Sequence, residues 1–115
     1  MLKKCLITIS ILLFSLSFSQ QKGKASFYSD FHHGKRTASG EIFNMNSLTC
    51  ASNTYKMGTM LKVTNMGNGK SVTVKVNDTG GFGKYGRVID LSKAAFATIA
   101  SLKSGIINVL VEKLN

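Results

Sequence analysis

Thr59-Met60-Leu61-Lys62-Val63-Thr64-Asn65-Met66-Gly67-Asn68-Gly69-Lys70-Ser71-Val72-Thr73-Val74-Lys75-Val76-Asn77-Asp78 reads as two strands folded back on each other. From Ser71 to Asn77, Val72, Val74 and Val76 alternate with Thr73 and Lys75, the period-two pattern of a strand with one buried face. Thr59 to Asn65 is the matching partner. Between them Met66 to Lys70 contains the pair Asn68-Gly69, which takes up positive φ at little cost and so marks a hairpin turn. The two strands are predicted to be antiparallel neighbours.

Upstream of the hairpin, Gly23 to Tyr28 and Leu48 to Ser52 are strand candidates, with a polar, glycine-bearing stretch from Ser29 to Glu41 between them. Downstream, Thr79 to Gly86 is a glycine-rich loop, and Arg87 to Leu91 is a short strand. Ser92 is placed to cap a helix in which Ala95, Phe96, Ile99 and Leu102 recur at helical spacing, with Gly105 as its stop. Ile106 to Leu114 closes the chain as a strand with Ile107, Val109 and Val111 on one side. There is no proline, and 11 glycines supply the punctuation. Six short strands and one short helix predict an all-β (mainly β) fold, a barrel or sandwich rather than layered α/β.

The first 19 residues do not fit that pattern. Two lysines at Lys3 and Lys4 precede an apolar run from Cys5 to Phe18, and the small residues Ser17 and Ser19 follow at the spacing a signal peptidase requires. The run is too short to span a bilayer, which takes roughly 18 to 20 apolar residues. Residues 1–19 are predicted to be a signal peptide and 20–115 a single exported domain, periplasmic or extracellular, with no stable membrane anchor after cleavage. Cys50 would then be the only cysteine of the domain, so packing rather than disulfides must hold it, and Cys50 reads as a small buried apolar residue.

The full chain carries a formal net charge of +10, which falls to +8 without Lys3 and Lys4. A basic surface seeks acidic partners. Export argues against nucleic acid and for envelope polyanions or the carboxylates of the cell wall.

Three acidic residues lie in polar loop contexts: Asp30, Glu41 at the end of Thr37-Ala38-Ser39-Gly40-Glu41, and Asp78 at the end of the fourth strand. Asp90, between Ile89 and Leu91, and Glu112 read as structural or surface residues. Two carboxyls brought across a groove are the minimum equipment for cleaving a glycosidic bond; a strand-end Asp also serves simply as a turn former. His32 and His33 are adjacent and have no acidic or cysteine cluster to complete a metal set. One imidazole is expected to pack on or bond a loop, the other to be solvated. Cys50, between Thr49 and Ala51, lacks the setting of a catalytic thiol. Tyr28, Phe31, Phe43, Phe82 and Tyr85 cluster in or beside the two glycine-bearing loops, where one or two are expected to be sugar-stacking platforms and the rest core.

The order of these motifs closely resembles the rare lipoprotein A family of septal lytic transglycosylases. The resemblance is carried by Gly23-Lys24-Ala25-Ser26-Phe27-Tyr28, Phe31 to Gly34, Thr37 to Glu41, Leu48-Thr49, Gly58-Thr59, Val63-Thr64-Asn65, Asn68-Gly69, Val76-Asn77-Asp78 and Gly86 to Ser92, and covers nearly all of residues 23–114. It implies a six-stranded double-psi β-barrel with a groove for peptidoglycan glycan strands. It also implies non-hydrolytic cleavage between N-acetylmuramic acid and N-acetylglucosamine, leaving 1,6-anhydro ends, with a preference for strands stripped of peptides. By position, Asp78 and Glu41 are implied as the functional carboxyls; of the two, Asp78 is expected to be the principal acid/base and Glu41 to assist it. Tyr28, His33, Thr37, Ser39, Ser52, Asn77 and Phe82 are expected to contact substrate, and neither metal nor cofactor is implied.

The chain departs from the family pattern in places. Ser52 stands where that pattern has a histidine, Tyr55-Lys56 replaces Leu-Pro, and Thr79-Gly80-Gly81 replaces Arg-Gly-Pro after the aspartate. Serine takes up no proton near neutral pH. A non-catalytic, expansin-like glycan-binding module and a secreted basic interaction or inhibitor barrel are therefore the alternatives.

Overall fold

A computed structural model describes residues 19–115; the segment read as a signal peptide lies outside the described residues except for Ser19. Six strands, β1 (Gln20–Phe27), β2 (Thr49–Ala51), β3 (Met60–Asn65), β4 (Ser71–Asp78), β5 (Arg87–Leu91) and β6 (Ile107–Lys113), close into a barrel in the order β1-β5-β2-β4-β3-β6. The hairpin read from the sequence is present: β3 and β4 pair antiparallel from Met60↔Lys75 to Thr64↔Ser71. Its turn is held by the Gly69 N–H donating to the Asn65 carbonyl at 2.8 Å, with Gly69 at φ 77°. The pairs β1/β5 and β2/β4 are parallel, each with a register shift. The shift in β2/β4 matches Ala51 to Asp78 directly after Cys50 to Val76, so Asn77 is the residue stepped over.

The alternating residues fill the interior as their period requires. Leu61, Val63, Val74, Val76, Ile89, Leu91, Val109, Val111 and Cys50 are all buried there. The one α-helix among the described residues, α1 (Lys93–Ile99), packs Ala95, Phe96 and Ile99 onto this core. Ser92 caps it as expected, its Oγ accepting from the Ala95 N–H at 3.2 Å, a contact worth about 1 kcal/mol.

The helix is shorter than its apolar spacing predicts. Ala100 is extended, and the Ile99 carbonyl is taken by two side-chain amides from the β3–β4 turn, Asn65 Nδ2 at 2.8 Å and Asn68 Nδ2 at 2.9 Å. These bonds satisfy a terminal carbonyl that a further helical turn would have used. Leu102 and Gly105 instead belong to a separate 3-10 turn, Leu102–Ser104, closed by Gly105 at φ 70°.

A second, smaller apolar cluster of Tyr28, Phe43, Ala51 and Phe82 lies apart from the main core. It forms under the two long loops and supports the site. No helix among the described residues is long and apolar enough to cross a membrane.

Candidate functional site

On β1, Gly23, Ala25 and Phe27 face the barrel interior, so Lys22, Lys24, Ser26 and, just past the strand end, Tyr28 face outward. The parallel register sets Ser26 beside Asp90 of β5. Asp90 projects outward for the same reason, because its neighbours Ile89 and Leu91 point into the core. The loops after β1 and β4 then rise over this face. They leave a cleft of about 310 Å³ lined by Tyr28, His32, Ala51, Asp78 to Phe82, Arg87 and Asp90.

Asp78 is fixed from three directions. Its Oδ1 accepts the backbone N–H groups of Ala38 at 2.8 Å and Thr79 at 2.9 Å, and its Oδ2 accepts the Tyr28 hydroxyl at 2.5 Å. Burial, and next the bond to Asp78, pushes the Tyr28 pKa far up, so the phenol remains a donor. Its ring stacks on Phe43 with centroids 4.3 Å apart, and His32 meets it edge-on at 5.5 Å.

Asp90 is held differently. Its Oδ1 accepts from Ser26 Oγ at 3.0 Å, and Ser26 Oγ in turn accepts from Arg87 Nη1 at 3.3 Å. Burial raises its pKa above the ordinary carboxylate value, and the charge of Asp78 adds to this; the Ser26 bond, Arg87 and His32 oppose it. The cleft thus contains two carboxyls in unlike environments, the arrangement that separates an acid from a charge-stabilising group.

The other sequence-derived candidates divide between supporting the cleft and standing outside it. Thr37 and Ser39 are turned into their own loop: Thr37 Oγ1 bonds the Glu41 carbonyl at 2.9 Å and Ser39 Oγ at 2.8 Å, and the Glu41 N–H donates to Ser39 Oγ at 3.2 Å. That loop is docked by the Ser39 N–H on the Asn77 carbonyl at 3.3 Å, which aims the Ala38 N–H at Asp78. Asn77 itself is buried, with Oδ1 unpartnered among the described residues.

Glu41 is exposed, paired with Lys75 Nζ at 2.9 Å, and does not line the cleft that Asp78 shares with Asp90. Ser52 is buried, its Oγ accepting from the Thr54 and Tyr55 N–H groups at 3.1 Å each, so it forms a turn rather than facing the cleft. His33 Nδ1 accepts the Met45 N–H at 3.1 Å. Phe82 lines the cleft, folded over Gly80 so closely that a Cβ there would lie 2.7 Å from its ring. Cys50 is fully buried and its thiol is pushed up to about 12, first by burial and then by the charge of Asp90.

Asp90, Arg87 and His32 line the cleft but are not among the catalytic or substrate-contacting residues expected from the sequence. His32 lines the cleft while remaining exposed. Among the described residues no group of three His, Cys, Asp or Glu side chains is gathered to hold a metal ion.

Comparison with known proteins agrees with this architecture. Residues 20–111 match the family model described as lytic transglycolase. The chain is 51% identical over 90 residues to a probable endolytic peptidoglycan transglycosylase RlpA of Synechocystis, covering 78% of this chain and 28% of that protein. It is 49% identical over 90 residues to the endolytic peptidoglycan transglycosylase RlpA of Campylobacter jejuni, covering 78% and 32%. The chain thus spans about a third of the length of these relatives. Among solved structures, a Streptomyces papain inhibitor superposes with TM-score 0.68 at 24% identity, covering 84% of this chain and 94% of that one. A Clavibacter michiganensis expansin superposes with TM-score 0.66 at 25% identity, covering 84% and 50%. The closed barrel with its two parallel strand pairs, and a family match running almost from end to end of the described residues, establish that this chain belongs to the lytic transglycolase family of double-psi β-barrels.

Proposed function

We propose that residues 1–19 export this chain and that residues 20–115 cleave peptidoglycan glycan strands in the cell envelope, periplasmic or extracellular. The observation that carries this reading is the pair Asp78 and Asp90 in one open cleft, one carboxyl triply hydrogen-bonded and the other raised in pKa by burial.

In the reaction, Asp90 is the proton carrier. It protonates the oxygen linking C1 of N-acetylmuramic acid to N-acetylglucosamine, and that C1–O bond breaks. Asp78, immobilised by Ala38, Thr79 and Tyr28, faces the positive charge that builds at C1. The Asp90 carboxylate then takes the proton from the C6 hydroxyl of the same muramic acid as O6 bonds to C1. A 1,6-anhydro ring forms, no water is consumed and the acid is restored. An acid of ordinary pKa, about 3.9, would be almost wholly ionised at neutral pH, so the upward shift from burial favours this role. Glu41, held by Lys75 outside the cleft, acts on sugars beyond the reacting one.

The same site supports a second reading, binding without cleavage. It is favoured by Ser52, which occupies the position of the family histidine and is committed to a turn. An imidazole does reach the cleft from another position, His32, and this favours turnover. Incubating the domain with peptide-stripped glycan strands separates the two readings: cleavage yields 1,6-anhydro ends, whereas binding alone yields pelleting with the strands and no such ends.

A further inference from the structure

The outward row of β1 does not stop at the cleft. Tyr28 and Ser26 belong to the carboxyl site, and the same face continues through Lys24 and Lys22, both exposed. At about 3.3 Å per residue, Lys22 lies roughly 13 Å from Ser26 along the strand. Here the surface is again concave: a groove of about 620 Å³ is lined by Lys22, Gly23, Lys24, Met66, Gly67, Gly86 and Asn108. It adjoins the cleft directly, since Lys24 pairs with Arg87, the cleft residue that donates to Ser26. Neither lysine forms an ion pair among the described residues, whereas Lys75 and Lys93 do.

We infer that this groove is the continuation of the glycan track, and that Lys22 and Lys24 bind the free lactyl carboxylate of a muramic acid residue outside the reacting position. The inference rests on the reading of the cleft as a glycan site. A sugar polymer entering the cleft along β1 must lie over this groove, and among the groups on its backbone the carboxylate is the anionic one. The apolar wall supplied by Met66 and the glycines Gly67 and Gly86 admits the body of the sugar, while the two ammonium groups select its acidic substituent. Amide formation with a stem peptide removes that charge, so the groove favours strands without peptides.

The test measures affinity of the intact domain and of the double variant K22Q/K24Q for three probes: peptide-stripped glycan strands, peptide-bearing strands, and neutral oligomers of N-acetylglucosamine. Thermal melting of the variant, expected unchanged, controls for folding. The native domain is expected to prefer stripped strands over both other probes. The double variant is expected to bind stripped strands about 10-fold more weakly, to lose the salt dependence of that binding, and to bind the neutral oligomers as before. Equal binding of stripped strands by native and variant overturns the inference. So does an equal loss on neutral oligomers, or a lysine-dependent preference for peptide-bearing strands, which would assign the lysines to peptide carboxylates. Product analysis on the same samples keeps the two readings apart. Anhydro ends without lysine dependence defeat only the groove, and lysine-dependent binding without anhydro ends defeats only the cleavage.

Discussion

The Tyr28 hydroxyl donates to Asp78 Oδ2 at 2.5 Å, joining the end of β1 to the end of β4 although β5 and β2 lie between those strands in the barrel. The bond crosses the outer face at the point where the two parallel strand pairs converge, and with Ala38 and Thr79 it leaves Asp78 little freedom to turn. Tyr28→Phe removes this donor and keeps the ring that stacks on Phe43. A hydrogen bond to a charged group is worth about 1.5–3 kcal/mol, so kcat is expected to fall roughly 10- to 100-fold while the fold is retained. Rates of anhydro-end formation beside a urea melt check this; an unchanged rate contradicts the positioning role.

Asp90 makes stability depend on pH in an unusual direction. Its folded pKa is raised, so the folded state holds this proton more tightly than the unfolded chain. Stability from this group is complete below the unfolded value and declines as pH rises through the folded one. Asp90→Asn is therefore expected to raise the melting temperature at neutral pH, with the gain shrinking as pH falls toward the ordinary carboxylate range. Paired melts from acid to neutral pH measure it, and a variant less stable at neutral pH than at acid pH, relative to native, contradicts it.

Ser26 tunes the same carboxyl. Its bond lowers the Asp90 pKa, so Ser26→Ala is expected to raise that pKa further and move the alkaline limb of the activity profile to higher pH. The stability cost should be about 1 kcal/mol. A uniform loss of rate with no displacement of the limb would mean that Ser26 serves only structure.

Glu41 offers a contrast. Its partner Lys75 and its own exposure limit the ion pair to about 1 kcal/mol or less. Glu41→Gln is expected to raise KM by roughly fivefold or less and to leave kcat near native. A collapse of kcat instead would return Glu41 to the reacting sugar.

Cys50 reports on the core. Buried, with its thiol pushed up to about 12, it should resist alkylation at pH 8 until the protein unfolds. Rapid labelling of the folded protein would contradict its inward placement.

Much of this architecture was legible in the sequence because period-two alternation and the Asn68-Gly69 turn are local signals. Each of the six strands lies within a few residues of its expected position. The end of α1 was not legible, since the amides that take the Ile99 carbonyl come from Asn65 and Asn68, about thirty residues upstream. In the site, Asp78 could be found from its strand-end loop. Asp90 was passed over because Ile89 and Leu91 made its surroundings look apolar. On a strand, however, inward neighbours are the reason a residue faces outward, and that period-two signal could have placed it on the outer face. Glu41 was visible as a loop acid, but the direction of its side chain depends on Lys75, a tertiary contact. His32 reaches the cleft through the 3-10 turn Asp30–His32, which no periodicity announces.

In the proposed reaction a proton carried by Asp90 breaks the glycan in a cleft anchored by Asp78. Mass spectrometry of peptide-stripped strands, after incubation with native domain and with Asp90→Asn, tests it most directly. Native protein should generate 1,6-anhydro ends, and the variant should generate them about 10²- to 10⁴-fold more slowly while still pelleting with the strands. Anhydro ends formed by the variant at the native rate, or none formed by a folded, strand-binding native protein, would contradict it.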